Sequence, residues 1–308
     1  MRLRYPFDGL YRHDGWNVGL VHAGPQALLA GGTPEVEWLD LGLRDAFAAD
    51  PFLIEDGGTL FCFCEVLPYA TNRGYIAYAA LDRPAAGPLR TVTAIAAPHH
   101  LSYPYLLRYG GEIVCVPEAG ASGCVTAYAA RDFPGGWYPK HTLIDGFAGV
   151  DNTIFEHDGR WWLLATDARS GTNSDLHVWF ADDLFGRWQP HRGNPVKRSL
   201  AGTRPGGRPF VHCGRLYRPA QDCTLRYGRR LIVNEVTELT TERFSERPVA
   251  TIEPDANGKY AAGLHTANAA GGVIAVDGNR LHFVPQQALR AISARARRTL
   301  ERTPARSL

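Results

Sequence analysis

Four acidic residues of the sequence have the chemistry that cleavage of a glycosidic bond requires. Asp50 and Asp151 lie at the start of apolar segments, in ADPFLI and VDNTIF, whereas Glu65 and Glu118 end such segments, in CFCE and VCVPE. Glycoside hydrolysis needs a protonated carboxyl group for the leaving oxygen and a carboxylate that activates water or attacks the anomeric carbon. Asp50 and Asp151 are the natural pair, with Glu118 or Glu65 as proton donor. The alternative is structural, since aspartates often cap loops.

Further polar residues are candidates for binding a substrate beside these acids. They are Tyr103, Arg208, Arg218, Gln221, Asp222, His265 and His100. The guanidinium group binds carboxylate or phosphate with two parallel hydrogen bonds, so Arg208 and Arg218 suit an anionic substrate. Pairing of each arginine with a neighbouring carboxylate, such as Asp222, is an equally simple interpretation. His265 and His100 have the chemistry of acid and base groups, although a hydrogen-bonded structural histidine is the commoner case.

The spacing of the candidate residues follows an internal repeat. Its copies begin at residues 50, 103, 151, 208 and about 265. In the first four copies, a polar residue lies seven positions after a turn glycine: Glu65, Glu118, Thr166 and Gln221. Each copy contains short runs rich in valine, isoleucine and aromatic residues, separated by glycine and proline, which is typical of short antiparallel strands. The copies are about fifty residues long, and repeats of this length determine the architecture of the whole protein.

The repeat predicts an all-β protein, in which residues 1–286 form a five-bladed β-propeller. A short basic tail, residues 287–308, is expected to follow it and to be helical or disordered. The first strand of each copy is expected to lie innermost, so that its first residue faces one mouth of the central channel. The segments WNVGLVHAG and VEWLD, which precede the first copy, are expected to add the outer strands that close the ring. A sandwich of short strands is the alternative, but it needs no regular copies.

Residues that break the repeat are better candidates for chemistry than residues that recur. The copies start with Asp50, Tyr103, Asp151, Arg208 and His265, which differ in chemistry although their positions correspond. Five unlike side chains are therefore expected to converge on one channel mouth, as a propeller site requires.

Several passages, taken in order, resemble the N-terminal domain of plant glucosamine inositolphosphorylceramide transferases and its bacterial relatives. They are ADPFLI, CFCEV, HHLSYPYLLRYGGEIVCVPE, VDNTIFEHDGRWWLLATD and GRLYRPAQDCTLRYG. The likeness covers about residues 45–270, whereas the separate glycosyltransferase domain of the plant proteins has no counterpart in it. That N-terminal domain in turn resembles the five-bladed propeller glycosidases of the arabinanase, β-xylosidase and invertase group, in which acids from successive blades surround the sugar.

The resemblance to these glycosidases implies roles for individual residues. Asp50 matches the first-blade aspartate, which is the base in inverting members and the nucleophile in retaining members. Tyr103 and its neighbours stand where the second-blade aspartate would be, and Asp151 or Glu118 approximates the third-blade acid. His265 resembles a fifth-blade histidine that helps hold a central calcium ion in some members. A calcium ion near His265 is therefore the one metal that the resemblance suggests, and the residues themselves predict no cofactor.

The composition excludes several classes of protein. With 45% hydrophobic and 21% charged residues, the chain is too apolar for wholesale disorder. Its 33 basic and 31 acidic residues are too balanced for a nucleic-acid-binding protein. The sequence shows neither a signal-peptide pattern nor a long apolar run, which predicts a cytoplasmic protein. Its six cysteines have no zinc-binding spacing, and burial as small apolar residues is expected for Cys62 and Cys64.

Three functions follow from these observations, each with a sugar or glycoconjugate as partner. The first is a glycoside hydrolase-like enzyme that acts on an anionic or phosphate-linked glycoside, with Asp50 as base or nucleophile and Glu118 or Asp151 as proton donor. The second is a glycosyltransferase-like enzyme of surface glycan or glycolipid biosynthesis, and the third is a non-catalytic glycan-binding propeller. The basic tail suggests a weak additional contact with a membrane surface, although a solvated tail is the simpler interpretation.

Overall fold

The computed structural model describes residues 12–81, 87–290 and 292–293, and regular structure in these ranges is almost entirely β-sheet. Twenty-two strands occur among them, together with two short 3₁₀-helices, Pro25–Ala30 and Gly120–Ser122, and a short helix over residues 285–290. In the described ranges, no helix is long and apolar enough to cross a membrane. Most of the predicted basic tail, and with it the suggested membrane contact, lies outside the described residues.

The strands form five sheets, which follow one another along the chain. Two strands precede the first sheet and belong to the last one: β1 (His13–Val21) and β2 (Glu37–Trp38). The first sheet contains β3 (Ala46–Asp56), β4 (Thr59–Pro68), β5 (Tyr75–Ala80) and β6 (Val92–Ile95). The second contains β7 (Ser102–Tyr109), β8 (Glu112–Glu118), β9 (Val125–Asp132) and β10 (Gly135–Ile144).

The remaining three sheets are similar, with extra short strands in two of them. The third contains β11 (Gly149–His157), β12 (Arg160–Asp167), β13 (Asp175–Ala181), β14 (Gln189–Pro190) and β15 (Lys197–Arg198). The fourth contains β16 (Ala201–Pro205), β17 (Phe210–His212), β18 (Arg215–Asp222), β19 (Arg230–Leu239) and β20 (Phe244–Ile252). The fifth contains β21 (Ala267–Ala270) and β22 (Val273–His282), followed outward by β1 and β2.

The first strands of the five sheets lie side by side in a closed ring. Strand β3 contacts β7, β7 contacts β11, and β11 contacts β16. Gly207, just after β16, bridges to Ala267 of β21, and β21 contacts β3. Strand β1 pairs with β22 from His13–His282 to Val21–Ile274, so the N-terminal segment closes the last sheet. The predicted five-bladed β-propeller is thereby confirmed.

Apolar side chains fill the space between neighbouring sheets. Phe52 of β3 is fully buried, and its ring centroid lies 5.1 Å from that of Tyr105 on β7. Burial of one such ring stabilises the fold by roughly 1.5–3 kcal/mol. Cys62, Cys64 and Cys115 lie in the same interior as unpaired thiols, as expected for small apolar residues. This packing holds the inner strands rigidly, so that the residues at their starts have fixed positions.

Candidate active site

Three inner strands share one backbone irregularity at the position where the repeat begins. Asp50, Tyr103 and Asp151 have φ angles of 53°, 44° and 53°, and the strand pairing slips at each of them. A bulge of this kind redirects a side chain from the sheet face. The left-handed conformation costs each residue about 1–3 kcal/mol, and such strain is concentrated at functional sites. The bulges therefore aim these positions at the channel.

Asp50 is buried, and protein donors surround its carboxylate. Its Oδ1 accepts a hydrogen bond of 2.9 Å from the hydroxyl of Thr266 and lies 3.2 Å from Nε2 of His265. Its Oδ2 accepts a hydrogen bond of 3.2 Å from the backbone amide of Tyr103. Burial opposes ionisation, but the positive charge of His265 and the hydroxyl of Thr266 together lower the pKa of Asp50 below its usual value. Asp50 is therefore ionised at neutral pH.

His265 links Asp50 to a second buried carboxylate, Asp277. Its Nδ1 lies 2.8 Å from Oδ2 of Asp277, and its Nε2 faces Asp50. Burial favours the neutral ring, but the two carboxylates raise the pKa of His265 well above its usual value. The ring is thus an imidazolium between two carboxylates. The Trp16 ring, whose centroid lies 4.1 Å from that of His265, covers it.

A second group of charges lies around Asp151. Arg204 donates from Nε to Oδ2 of Asp151 at 2.5 Å and from Nη2 to Oδ1 at 3.3 Å. Gln221 donates to the same Oδ2 at 2.7 Å. The backbone amide of Asp151 in turn donates to Oε2 of Glu118 at 3.2 Å, and the guanidinium of Arg204 lies 3.7 Å from that oxygen. Asp151 therefore orients Arg204 and Glu118 and is itself fully engaged.

Glu118 has the opposite protonation tendency from Asp50. Burial and the nearby carboxylate of Asp151 raise the pKa of Glu118 to about 8, although Arg204 opposes the shift. Its side chain remains 15% exposed, so a ligand at the channel mouth can reach it. At neutral pH the site thus holds an ionised Asp50 and a protonated Glu118, which is the division of labour between base and acid in glycoside cleavage.

Glu65 forms a third acidic position beside the first sheet. Its Oε1 lies 3.3 Å from Nε2 of His100, whose Nδ1 accepts a hydrogen bond of 2.9 Å from the amide of Gly74. Burial and the carboxylates of Asp50 and Glu118 raise the pKa of Glu65 well above its usual value. Burial also lowers the pKa of His100. A neutral His100 therefore carries its proton on Nε2, facing a protonated Glu65.

Tyr103 has a different position from the one predicted. Its hydroxyl accepts a hydrogen bond of 2.7 Å from the amide of Gly207 and lies 2.9 Å from the hydroxyl of Thr153. The residue is fully buried, and its ring packs edge to face against Phe52. The hydroxyl thus links the second blade to the third and fourth inside the channel, whereas the substrate-binding role predicted for Tyr103 requires an exposed group. Only its backbone amide contributes to the site, through Asp50.

Three other candidates are held away from the acids. Arg208 lies between β16 and β17 and donates to the backbone of the second sheet. Arg218 is buried in an ion pair with Glu246 at 2.5 Å. Asp222 accepts a hydrogen bond of 2.7 Å from Arg230. The structure thus brings together Asp50, Asp151, Glu118, Glu65, Gln221, His265 and His100, whereas Arg208, Arg218 and Asp222 bind elsewhere.

Sequence reasoning missed two central residues, Arg204 and Asp277. The segment TRPGGRPF contains Arg-Pro twice, and the sequence repeat matches the second occurrence, at Arg208. The fourth inner strand is split, so Arg204 on its first part reaches the acids. Asp277 precedes Gly278 and so resembles a turn, but it lies inside β22. Because Asp277 accepts hydrogen bonds from the backbone amides of Asp50 and His265, it could be recognised only from the assembled ring.

The residues around His265 do not suit a directly bound calcium ion. Asp50, His265 and Asp277 each place a donor atom within 4.8 Å of the others. However, each carboxylate oxygen of the two aspartates already accepts a hydrogen bond from the protein. Both ring nitrogens of His265 already lie close to oxygens of these two aspartates, at 3.2 Å from Asp50 and 2.8 Å from Asp277. Calcium, which prefers six to eight oxygen ligands, finds few free oxygens here.

Comparison with known sequences places this site in a family. The sequence model described as glucosamine inositolphosphorylceramide transferase 1, N-terminal, matches residues 36–270. The chain belongs to this family. Among curated relatives, glucosamine inositolphosphorylceramide transferase 1 of Oryza sativa subsp. japonica is 38% identical over 214 residues, and that of Arabidopsis thaliana is 36% identical over 226 residues. These matches cover 68% and 71% of this chain but only 28% and 29% of the relatives.

Solved structures with the same fold include glycoside hydrolases. A family 117 glycoside hydrolase of Zobellia galactanivorans superposes with a TM-score of 0.53 at 16% identity, over 88% of this chain and 91% of that one. The catalytic domain of an α-L-arabinofuranosidase from Coprinopsis cinerea gives a TM-score of 0.54 at 12% identity, over 84% and 83% of the two chains. At such low identity the likeness establishes the fold alone.

Proposed function

We propose that the protein is a carbohydrate-active enzyme that breaks or transfers a glycosidic bond at the mouth of its channel. The observation that carries the proposal is a pair of carboxyl groups, the buried Asp50 and the partly exposed Glu118, whose surroundings shift their pKa values in opposite directions, Asp50 downward and Glu118 upward. Such a pair is the arrangement by which one site supplies both an acid and a base near neutral pH.

The proposed chemistry uses one proton from Glu118. Its carboxyl group gives that proton to the leaving oxygen as the bond from this oxygen to the anomeric carbon breaks. Asp50 either takes a proton from the water that attacks the anomeric carbon or attacks this carbon itself, and the intermediate ester is then hydrolysed. Arg204, held by Asp151, keeps its positive charge within 3.7 Å of Glu118 and stabilises the carboxylate that forms there.

Transfer to a sugar or lipid acceptor is the second candidate, and the relatives favour it. They are named glucosamine inositolphosphorylceramide transferases, and they share this propeller with the chain at 36–38% identity. The acceptor hydroxyl would take the place of the attacking water, and the roles of Asp50 and Glu118 would be unchanged. Since the chain corresponds to under a third of each relative, the complete activity of those proteins extends beyond the part that is compared.

The test is turnover of a panel of aryl glycosides and nucleotide sugars by the wild-type protein and by Asp50→Asn. Loss of a catalytic base or acid is expected to lower the rate by about 10²–10⁴-fold. Asp222→Asn is the matched control, because Asp222 is equally buried but binds Arg230 instead of the site. Equal turnover by wild type and Asp50→Asn would contradict the assignment of Asp50. Equal binding of glycans without turnover by either protein would favour a glycan-binding propeller.

A further inference from the structure

Four loops lie at the mouth of the channel, where the second strands of the first four sheets end. They are residues 69–74, 119–124, 168–174 and 223–229, which follow β4, β8, β12 and β18. All four lie within the described ranges, and they contain two aromatic residues, Tyr69 and Tyr227. Tyr69 is buried, whereas Tyr227 is 38% exposed. Tyr227 is therefore the aromatic residue of these loops that a ligand at the mouth can reach.

The ring of Tyr227 contacts the partners of both carboxyl groups to which the chemistry is assigned. Its centroid lies 5.1 Å from that of His265, whose Nε2 is 3.2 Å from Asp50. The guanidinium carbon of Arg204 lies over the same ring at 4.8 Å from its centroid, and Arg204 is also 3.7 Å from Glu118. A sugar on which Asp50 and Glu118 both act must therefore lie close to Tyr227.

The hydroxyl of Tyr227 is within reach of the charges of the site. Partial burial raises the pKa of Tyr227 well above its usual value, and the carboxylates of Asp50 and Asp151 add to this shift, although Arg204 opposes it. The hydroxyl is therefore protonated at neutral pH and is able to donate a hydrogen bond to a sugar oxygen.

Neighbouring side chains fix the orientation of this ring. Arg204 lies over the ring, and the rings of Trp16 and His265 meet it at 73° and 69°. An arginine in this position is attracted by the negative face of an aromatic ring. The ring is thus held in place before a ligand binds, while more than a third of the residue remains exposed.

The backbone of the loop that carries this tyrosine is also anchored. The amide of Cys223 donates a hydrogen bond of 2.8 Å to the carbonyl of Leu200, and the carbonyl of Gly228 accepts one of 3.1 Å from Leu264. Gly228 has a φ angle of 60°, and a Cβ atom there would come within 2.9 Å of the Trp16 ring. The loop therefore needs glycine at this position, and binding to a preformed site costs little conformational entropy.

We propose that Tyr227 is a specificity-determining residue, whose ring packs against the sugar on which Asp50 and Glu118 act and thereby selects substrates that bind as closed sugar rings. The C–H groups on one face of such a ring form an apolar surface that matches the exposed aromatic surface, and the phenol hydroxyl suits a sugar oxygen. The inference rests on the proposed function, because the sugar that Tyr227 contacts is the one whose bond is broken.

The test is isothermal titration of the full chain with the methyl glycosides of glucose, galactose, mannose and xylose, each compared with its open-chain alditol. At least one glycoside is expected to bind at least about tenfold more tightly than its alditol. Tyr227→Ala is expected to weaken binding of that glycoside at least about tenfold and to remove the preference. Tyr227→Phe keeps the ring and should weaken binding less than Tyr227→Ala does.

Tyr138→Ala is the matched control. Tyr138 lies on β10, the outermost strand of the second sheet, and Arg131 lies over its ring at 5.1 Å from the centroid. The substitution thus removes another arginine-covered tyrosine ring, and this variant should bind the glycosides as the wild type does. Should Tyr227→Ala fail to fold, Tyr227→Leu removes the aromatic ring but keeps much of its apolar volume, and it should also lose the preference.

Three binding results would overturn the inference: equal binding of glycosides and alditols, absence of binding by all of them, or undiminished binding in the variants that lack the ring. A role limited to holding Arg204 gives a different result. Because Arg204 opposes the upward shift of the pKa of Glu118, loss of the ring would then displace the alkaline limb of the kcat profile while binding stays unchanged. This result would also overturn the inference.

The same variants separate this inference from the proposed function. Ring-dependent binding without turnover of any glycoside would support the contact with Tyr227 and contradict the proposed catalysis. Turnover that Asp50→Asn loses, together with glycoside binding that Tyr227→Ala leaves unchanged, would support the catalysis and contradict the contact.

Discussion

Replacement of Glu118 by glutamine should stabilise the protein at alkaline pH. The pKa of Glu118 is about 8 in the fold against an ordinary value of 4.5, a difference of about 3.5 pH units. Between these two values the folded protein holds a proton that the unfolded chain releases, so the free energy of unfolding falls as the pH rises. At about 1.4 kcal/mol per unit, the full effect has an upper bound of about 5 kcal/mol.

Urea denaturation of wild type and Glu118→Gln between about pH 5 and about pH 9 measures this difference. The glutamine cannot ionise, and its amide oxygen can still accept the hydrogen bond that the amide of Asp151 donates. The variant should therefore gain stability relative to wild type up to about pH 8 and then reach a plateau. Glu112→Gln is the control, since Glu112 is an exposed glutamate on the same strand. A stability difference that does not change with pH would refute the reasoning.

Two further substitutions test the arrangement of the site. Arg204→Met leaves the buried carboxylate of Asp151 without its partner and should lower the free energy of unfolding by about 3–5 kcal/mol. The double variant Arg204→Met, Asp151→Asn should recover part of this loss. Urea denaturation measures both changes. Tyr103→Phe removes a buried hydroxyl and should lower the free energy of unfolding by about 1–3 kcal/mol while KM stays unchanged in steady-state kinetics. No recovery in the first case, or a raised KM in the second, would contradict these assignments.

The architecture was predictable because the repeat is a property of the chain itself. Each copy contributes one sheet, and its start, as at Asp50 and Asp151, lies on an inner strand. Because the inner strands meet at one axis, a residue at the start of one copy is expected near the starts of the others. The convergence of Asp50, Asp151 and His265 therefore follows from their spacing in the sequence.

The details of the site depended on local breaks in that repeat. In the fourth blade the inner strand is divided into β16 and β17, so Arg204 and not Arg208 reaches Asp151. In the second blade the bulge turns the ring of Tyr103 into the channel interior, where it is fully buried. Neither the division nor the direction of a bulged side chain is encoded in residue type or spacing. Both arise from packing between blades that are distant in sequence.

The protonation of the two central carboxyl groups is the claim on which the proposed chemistry depends. Neutron diffraction from a deuterium-exchanged crystal near neutral pH would observe it directly, without any substrate. The account predicts a deuteron on the carboxyl group of Glu118, deuterons on both ring nitrogens of His265, and none on Asp50. A deuterated Asp50 beside an ionised Glu118 would contradict it.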